Sequence, residues 1–191
     1  MQKSDVRKKL ISATKKLLME AQTIDRITSR QISAAAGTNV SMINYCFSSK
    51  DALIKAAVDE IILEEAGNPI HHSSEDSTPL KKLWDMLWGL CKLVMRFSAI
   101  TKAAVPYILL EAKIEPPEYI LPLLRAYYGN SRSETECKII GYELLSFMQL
   151  IFYRAEEFTR YCGSNILDEA NAKALMKMQF KLFFEDGDYD E

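Results

Sequence analysis

The sequence predicts an all-α protein. Apolar residues recur at helical spacing along almost the whole chain, and no strand-like alternation of apolar and polar residues persists in any segment. Glycines, prolines and polar clusters stand where the predicted helices end. Near the N-terminus, a short helix, a glycine turn and a second short helix follow one another, which is the layout of a helix-turn-helix.

Length and composition narrow the classes of protein that remain. The chain has 191 residues, of which 48% are hydrophobic and 26% charged, values that suit one or two globular domains with real cores. The longest apolar stretch, Leu80 to Ile100, is interrupted by charged residues, and the N-terminus has no apolar segment of a secretory signal. We therefore expect a cytoplasmic protein that does not contact a membrane.

The cysteines and histidines predict neither a metal site nor a cofactor. The cysteines form no C-x-x-C pair, which favours reduced thiols. His71 and His72 are neighbours and lack the i, i+4 spacing of a helical metal pair. The sequence contains no recognisable nucleophile and base pair and no phosphate-binding glycine loop, so we expect no enzymatic activity. The four cysteines are Cys46, Cys91, Cys137 and Cys162.

Charge is distributed unevenly along the chain. Residues 1–58 contain ten Lys or Arg and four Asp or Glu, whereas the whole chain has a net charge of −2. The N-terminal third is therefore basic and the remainder is acidic. This asymmetry favours an N-terminal region that meets phosphate groups.

The basic region is predicted to begin with three helices. The first carries an apolar stripe over residues 6–21. Thr28-Ser29-Arg30-Gln31 has the spacing of a capping box, and Gly37 is suited to the left-handed conformation that ends the helix opened there. Asn39 is placed to cap a third helix, which ends at Phe47.

A longer fourth helix and a linker are predicted next. Either Ser48 or Ser49 is expected to cap this helix. Residues 67–79 are polar and rich in turn residues, so they are interpreted as a linker. The helix that follows, from Pro79 to about Ser98, is apolar on nearly all sides.

Long helices are predicted in the last third of the chain. Pro106 is expected to interrupt the helical pattern. Ser131-x-x-Glu134 has capping-box spacing and is expected to open a long helix over residues 134–161. Asn165 is expected to cap a last helix over residues 166–184, ahead of an acidic tail interpreted as disordered.

The helix-turn-helix is predicted to bind the major groove of DNA. The alanines before Gly37 are interpreted as small because the two helices cross closely, and Ile43 and Phe47 are expected to anchor the second helix to the core. Asn44 suits bidentate pairing with an adenine edge. Contacts with thymine methyl groups are predicted for Val40 and Met42, and phosphate contacts for Thr28, Tyr45 and Lys50. The predicted DNA-binding residues are Thr28, Ser29, Arg30, Asn39, Val40, Ser41, Met42, Asn44, Tyr45 and Lys50.

The run TSRQISAAAGTNVSMINYCFSSKDALI resembles the N-terminal DNA-binding domain of the TetR family of bacterial transcriptional regulators. The matching elements are a core that begins T-x-x-x-I and ends A-G, the N-Y-x-F aromatic end and the S-K-x-x-L start of the next helix. The resemblance covers about residues 5–62, and residues 69–191 carry only the general helical pattern of the family. Cys46 stands where His or Tyr is usual, and Ser48 stands where Pro or Gly is usual.

The resemblance implies two domains and a DNA partner. Residues 1–66 correspond to the DNA-binding domain, including the fourth helix. Residues 67–191 correspond to a helical domain that binds an effector and forms a dimer. Proteins of this kind place two recognition helices in successive major grooves of a palindromic operator in double-stranded DNA.

A homodimer is likewise implied by the resemblance. Its surface is expected on the last two long helices, residues 134–161 and 166–184. Gly141, Ala170 and Ala174 are small enough for close approach between subunits, although packing within one chain would give the same pattern.

An unidentified small-molecule effector is the third implied partner. Aromatic and apolar side chains of the C-terminal half are expected to line its pocket, although most such residues also suit a plain core. Glu111 would meet a cationic ligand if it faces inward, and an exposed Glu111 is the alternative. The predicted effector-binding residues are Trp84, Trp88, Met95, Tyr107, Glu111, Tyr128, Phe147 and Phe152.

These observations predict a transcriptional repressor that a small molecule releases from its operator. Two alternatives stay open. One is a DNA-binding protein of the same fold with a role outside transcription. The other is a redox-responsive regulator that senses oxidants through Cys46, although an inert packing thiol fits that position as well.

Overall fold

The computed structural model describes residues 3–20, 27–66, 76–114 and 120–185. Within these residues the chain forms ten α-helices and no β-strand, so the prediction of an all-α protein is confirmed. No single described helix is long and apolar enough to cross a membrane, although one bent pair, α5 with α6, meets the length and composition criterion jointly. The helices are α1 Lys3–Glu20, α2 Ser29–Ala35, α3 Ser41–Phe47, α4 Lys50–Ala66, α5 Pro79–Arg96, α6 Ser98–Leu110, α7 Ile120–Tyr128, α8 Glu134–Tyr153, α9 Ala155–Cys162 and α10 Glu169–Lys181.

The helices group into two compact units. The first unit comprises residues 1–67 and 97–113, and the second comprises residues 68–96 and 114–191. The domain boundary predicted after residue 66 separates α1–α4 from the rest of the sequence. In the structure α6 also belongs with α1–α4, because it packs against α4.

The core of the first unit forms where α1, α4 and α6 meet the two short helices. Leu10 and Leu18 on α1, Ile32 on α2 and Leu53 on α4 are fully buried, and Ala104 brings α6 into the same cluster. Burying a leucine or isoleucine side chain contributes about 1.5–3 kcal/mol. Helices of seven residues such as α2 and α3 are too short to be stable alone, so this packing holds them in place.

An ion-pair network also joins α1 to α4. The Lys15 ammonium lies 3.6 Å from the Glu60 carboxylate and pairs with the Glu64 carboxylate as well. The Lys15 side chain is largely buried between the two helices, whereas both glutamates are exposed. Exposed partners limit the strength of the pairs to about 1 kcal/mol or less each. The network therefore fixes the register of α1 against α4 and neutralises one cation of the basic region.

The second unit has a core built from α5, α7, α8 and α10. Trp84 on α5 meets Phe180 on α10 edge to face, with ring centroids 5.0 Å apart. Leu124 on α7 and Leu144 on α8 are completely buried in the same cluster. The side-chain amide of Gln179 donates to the Leu144 carbonyl at 3.5 Å, which joins α10 directly to α8.

Two tyrosines hold the chain that follows α10. The Tyr128 hydroxyl donates to the Phe183 carbonyl, and the Tyr127 hydroxyl accepts from the Glu185 amide at 3.2 Å. Phe184 is buried beside them, with its ring centroid 5.2 Å from that of Tyr127 and 5.9 Å from that of Tyr128. The final turn is thus fastened to α7. The acidic tail was predicted over residues 185–191, and only its first residue, Glu185, lies within the described residues.

The prediction of a single helix over residues 134–161 is wrong, because the structure has two helices in this range. α8 ends at Tyr153 and α9 begins at Ala155, with Arg154 between them at φ −101° and ψ 29°. Neither proline nor glycine stands at the break, so the sequence carries no local signal for it. The break places Ala155 in a buried cluster with Phe152.

The capping box of α8 lies two residues later than predicted. Ser133, not Ser131, accepts from the Glu136 amide at 3.2 Å, and the Glu136 carboxylate accepts from the Ser133 amide at 2.7 Å. Ser131 instead donates to the Tyr128 carbonyl at the end of α7. The Ser133 hydrogen bonds and Arg132 together lower the pKa of Glu136 to about 2, because they stabilise its charged form.

The last helix is shorter than predicted. α10 runs Glu169–Lys181 rather than over residues 166–184, and its cap is Asp168, whose carboxylate accepts from the Asn171 amide at 3.1 Å. Asn165 accepts from the Leu167 amide at 3.1 Å and shapes the turn before the helix. Both residues suit a cap, and the structure uses the one next to the helix.

Pro106 lies inside α6 and does not interrupt it, contrary to the sequence-based expectation. A proline within a helix lacks one backbone donor and disfavours helix continuation. α6 tolerates this because Thr101, Ala104 and Val105 are buried, so tertiary packing stabilises the helix around the proline.

Candidate nucleic-acid interface

The first short helix of the motif, α2, begins with the capping box that the sequence predicts. The Thr28 hydroxyl accepts from the Gln31 amide at 3.2 Å, and the Gln31 side chain accepts from the Thr28 amide at 2.8 Å. Two backbone donors that a helix start leaves free are thereby satisfied. The prediction is confirmed, and it fixes the position where the chain enters α2.

The turn between α2 and α3 depends on the backbone of Gly37. Its φ is +63°, a value that favours glycine, and a Cβ built there would meet nothing within 4 Å. The glycine is therefore required by conformation and not by lack of space. The preceding alanines were predicted to be small because α2 and α3 cross closely. This prediction is wrong for Ala34 and Ala35, which are exposed, whereas Ala36 is buried.

The second short helix, α3, is fixed at both ends. The Asn39 side chain accepts from the Met42 amide at 3.2 Å and from the Ser41 hydroxyl at 2.5 Å, as expected of a capping residue. Ile43 and Phe47 are buried in the core of the first unit, which confirms their predicted role as anchors. With one face anchored, the opposite face of α3 is free to enter a groove of DNA.

The outward face of α3 carries most of the residues predicted to read bases. Tyr45, a predicted phosphate contact on the same face, is 61% exposed. Met42 differs from the rest, because it is half-buried and packs against the core cluster. The residues that lie exposed on α3 or at its start are Asn39, Val40, Ser41, Asn44 and Tyr45.

Two of the three predicted phosphate contacts, Thr28 and Lys50, lie at the starts of α2 and α4, whereas Tyr45 lies on α3. Lys50 begins α4, and its ammonium donates to the Ile27 carbonyl, one residue before Thr28, at 3.4 Å. It also lies 3.7 Å from the Asp51 carboxylate. Thr28 and Arg30 are exposed and Ser29 is partly exposed. Lys50 therefore lies beside the start of α2, and its hydrogen bond to Ile27 links α4 to that start.

Two basic residues that sequence reasoning did not select lie against α3. The Lys3 ammonium is 4.7 Å from the centroid of the Tyr45 ring, and the Arg7 guanidinium carbon is 4.8 Å from the centroid of the Phe47 ring. Both distances fall within the range of cation–π interactions. Their i, i+4 spacing on a predicted basic helix was the available signal, since such residues share one face.

Ser48 occupies the position between α3 and α4 in a strained conformation. Its φ is +70°, and it is the one described residue other than glycine with a positive φ. A residue with a side chain in such a sparsely populated conformation costs about 1–3 kcal/mol, and glycine avoids that cost.

Ser48→Gly is expected to stabilise the first unit by about 0.5–1 kcal/mol, because relief of strain exceeds the entropy that glycine adds to the unfolded chain. Urea unfolding followed by far-ultraviolet circular dichroism measures the change. Ser41→Gly is the control, since Ser41 starts a regular helix and glycine should destabilise it. A loss of stability in Ser48→Gly would show that the serine side chain makes a compensating contact.

The described cysteines are free thiols in different surroundings. Cys46 on α3 is half-buried and packs against the core, while Cys162 is exposed. Cys91 is buried, and burial raises the pKa of its thiol to about 12, so the thiol stays protonated. Among the described residues, no group of three or more His, Cys, Asp or Glu is arranged to hold a metal ion.

Four of the predicted effector-binding residues come together in the second unit. Trp88 on α5, Met95 at the end of the same helix, and Phe147 and Phe152 on α8 belong to one apolar cluster. Of these, Phe152 is buried and the other three are partly exposed. Apolar and aromatic side chains are the predominant lining of ligand sites.

The other four lie elsewhere. Trp84 is buried against Phe180 in the core, and the Tyr128 hydroxyl is used to hold the last turn. Tyr107 belongs to α6 and Glu111 stands at its C-terminal end, so both are part of the first unit. Glu111 is exposed.

A small helical unit with an anchored, outward-facing helix after a glycine turn defines a helix-turn-helix DNA-binding protein. Residues 10–57 match the family model described as bacterial regulatory proteins, tetR family. Among solved structures, the chain is similar to a TetR-family transcriptional regulator from Haemophilus influenzae, with 15% sequence identity, a TM-score of 0.54, and coverage of 94% of this chain and 96% of that chain. A search of curated proteins gave no significant match. Residues 10–57 therefore carry the DNA-binding domain of the TetR family of bacterial transcriptional regulators, and the chain as a whole shares the fold of the Haemophilus influenzae regulator.

Proposed function

We propose that this chain is a repressor that binds a palindromic operator as a homodimer and is released by a small-molecule effector. It acts by binding in the cytoplasm, without catalysis. The observation that supports this most directly is the anchored α3, which buries Ile43 and Phe47 and presents a polar and aromatic face outward. An outward face that includes an amide and a phenol suits base edges and phosphates better than it suits a protein core.

Within this proposal the residues of α3 have distinct roles. Asn44 is exposed and pairs with an adenine edge. Val40 is exposed at the start of α3 and contacts a thymine methyl group. Met42 packs mainly on the core, so its contribution to base reading is smaller than the sequence suggested. Thr28, Tyr45 and Lys50 hold phosphates.

Exposed apolar stripes on α8 and α10 support the homodimer. The α8 stripe consists of Ile139, Tyr142, Leu150 and Tyr153, which are all exposed and recur at helical spacing. Apolar stripes of this kind on one chain mark interaction surfaces, and a two-fold axis lets the same stripe meet itself. The α10 stripe consists of Ala174 and Met178 on the helix and Leu182 directly after it, which are four residues apart and exposed.

The small residues proposed for close approach separate into two groups. Ala170 and Ala174 are exposed on α10 and suit a subunit contact. Gly141 is buried, and a Cβ there would lie 3.3 Å from side-chain atoms of both Ile120 and Leu124. Gly141 therefore permits the packing of α8 against α7 within one chain. For Gly141 we therefore infer packing within one chain and not close approach between subunits.

We infer that the effector binds among the partly exposed aromatic side chains around Trp88 in the second unit. α4 and α6 pack together in the first unit, and α6 follows α5 directly in sequence. A change in α5 is thus passed by the chain to the helix that supports α4 and its DNA-binding residue Lys50. A coupling free energy of about 1–3 kcal/mol would change operator affinity by roughly 5- to 150-fold.

The proposal is tested by selecting duplexes from a random-sequence pool with the wild-type protein. Fluorescence anisotropy then compares the enriched duplex with a scrambled one at two salt concentrations. We expect a preference of about a thousandfold for the enriched duplex, with inverted repeats spaced by one helical turn. A small molecule that abolishes this preference for the enriched duplex is an effector. Equal, weak binding to both duplexes would contradict sequence-specific regulation.

Asn44→Ala and Lys50→Ala are expected to have different effects on DNA binding. Asn44→Ala removes a base contact, so it should relax preference at one base pair at a cost of about 1–3 kcal/mol. Lys50→Ala should weaken binding to all duplexes and lower the salt slope by about 1. Anisotropy titrations on matched and single-substituted duplexes measure both. The same uniform loss for both variants would refute the assigned roles.

A further inference from the structure

The start of α1 lies against the exposed and buried aromatic residues of α3. Lys3 and Arg7 are four residues apart and share a face of α1, and their cationic groups lie over the rings of Tyr45 and Phe47. The two aromatic residues differ in surroundings. Phe47 is buried in the core, whereas Tyr45 is free on its outer side.

The contact differs in kind from the ion pairs of the basic region. Several cations of the first unit are neutralised by carboxylates, as Lys15 is by Glu60 and Glu64, and Lys55 is by Asp59 at 2.6 Å. Lys3 and Arg7 have no carboxylate partner among the described residues. Both cations lie over aromatic rings, so their charge is available to fix the ring positions through the ring quadrupole.

Tyr45 has no other described contact that fixes its orientation. Its side chain is 61% exposed, and within the described residues its hydroxyl forms no hydrogen bond. A free tyrosine on a helix surface samples several rotamers, and ordering such a side chain on binding costs affinity. A cation that holds the ring in one place before DNA arrives reduces that cost.

We propose that Lys3 is a positioning residue for Tyr45: its ammonium fixes the Tyr45 ring on the outer face of α3 so that the hydroxyl is preorganised for a DNA phosphate. Arg7 supports this arrangement from the same face of α1 by covering Phe47, the last residue of α3. Lys3 acts through the ring and does not itself bind a phosphate. This inference rests on the proposed function, since it needs a specific DNA partner.

A double-mutant cycle tests the coupling between the two side chains. Lys3→Gln, Tyr45→Leu and the double variant are titrated by anisotropy with the duplex that the wild-type protein enriches from a random pool. We expect Lys3→Gln to weaken binding about two- to fivefold, as an exposed cation–π contact implies. In the Tyr45→Leu background we expect Lys3→Gln to cause no further loss, because the ring on which it acts is absent. Lys3→Arg should retain wild-type affinity.

Lys8→Gln is the matched control. Lys8 lies on the same helix, carries the same charge and is exposed, but no ring or carboxylate contact is recorded for it. Any effect of this variant on affinity should be the same with and without Tyr45. The salt slope gives a second readout, since Lys3→Gln should leave it unchanged, whereas loss of a direct phosphate contact lowers it by about 1.

The outcomes separate the inference from the function on which it rests. Equal losses from Lys3→Gln in both backgrounds, together with a lower salt slope, would show that Lys3 binds phosphate directly and would overturn the inference. An unchanged affinity for Lys3→Gln would overturn it as well. Failure of the wild-type protein to enrich any sequence would instead overturn the proposed function, and the inference would fall with it.

Discussion

Replacing both Ile139 and Met178 by aspartate is expected to convert the proposed dimer into a monomer and to weaken operator binding by at least about a hundredfold. Ile139 belongs to the exposed stripe on α8 and Met178 to that on α10. In a single chain both positions face solvent, so aspartate costs at most about 0.5 kcal/mol there. In a dimer built on these stripes, the carboxylates would be buried without partners, which is far more costly.

The loss of DNA affinity follows from geometry. A dimer binds its second half-site as an intramolecular event, and this multiplies affinity by about 10²–10⁴ without any new contact. A monomer keeps α3 and its phosphate contacts, so weak, salt-dependent binding should survive. Sedimentation velocity measures the change from the mass of two chains to that of one, and anisotropy on the enriched duplex measures the change in affinity.

Leu110→Asp is the control for the dimer prediction. Leu110 ends α6 in the first unit and is 83% exposed, so it receives the same chemical change away from both stripes. This variant should remain dimeric and bind DNA as the wild-type protein does. A double variant that stays dimeric would place the subunit interface elsewhere. A monomer that binds the enriched duplex at full strength would show that recognition does not require two copies.

Features that depend on neighbouring residues could be predicted from the sequence. The capping box of Thr28 and Gln31, the positive φ of Gly37 and the capping by Asn39 are each decided within four residues. Such local chemistry leaves the chain few alternatives. The same reasoning failed at α8, where overlapping S-x-x-E patterns offered two possible caps at Ser131 and Ser133.

Features that depend on distant residues could not be predicted. The break at Arg154 has no proline or glycine, and Gly141 is small because Ile120 and Leu124 approach it. The grouping of α6 with α1–α4 depends on packing against α4. Contacts between segments far apart in sequence are set by the whole arrangement of helices, and a single sequence does not reveal that arrangement.

The candidate site shows the same division between local and distant information. The composition and spacing of α3 indicated Asn44 and Tyr45 as outward residues, because Ile43 and Phe47 marked the inward face. The burial of Met42 was not evident, since a methionine on a short helix suits either face. The approach of Lys3 to Tyr45 was also hidden, because more than forty positions separate the two residues in the sequence.

Phe184→Ala is expected to lower the free energy of unfolding of the second unit by about 3–5 kcal/mol. The side chain is 4% exposed, although it lies beyond the last helical residue, Lys181. Its ring centroid is 5.0 Å from that of Phe180 and 5.2 Å from that of Tyr127, so its removal leaves a cavity lined by aromatic rings. Urea unfolding at a fixed protein concentration measures the loss.

Tyr127→Phe separates the contribution of ring packing from that of the hydroxyl hydrogen bond. This variant keeps the ring beside Phe184 and removes only the acceptor of the Glu185 amide, which is exposed. Because water can replace an exposed hydrogen-bond partner, the expected cost is no more than about 1 kcal/mol. Equal losses in Tyr127→Phe and Phe184→Ala would contradict the role of the rings. A large loss confined to Phe184→Ala would mean that α10, and with it the exposed stripe proposed to bind a second subunit, is held in place by an aromatic residue outside any helix.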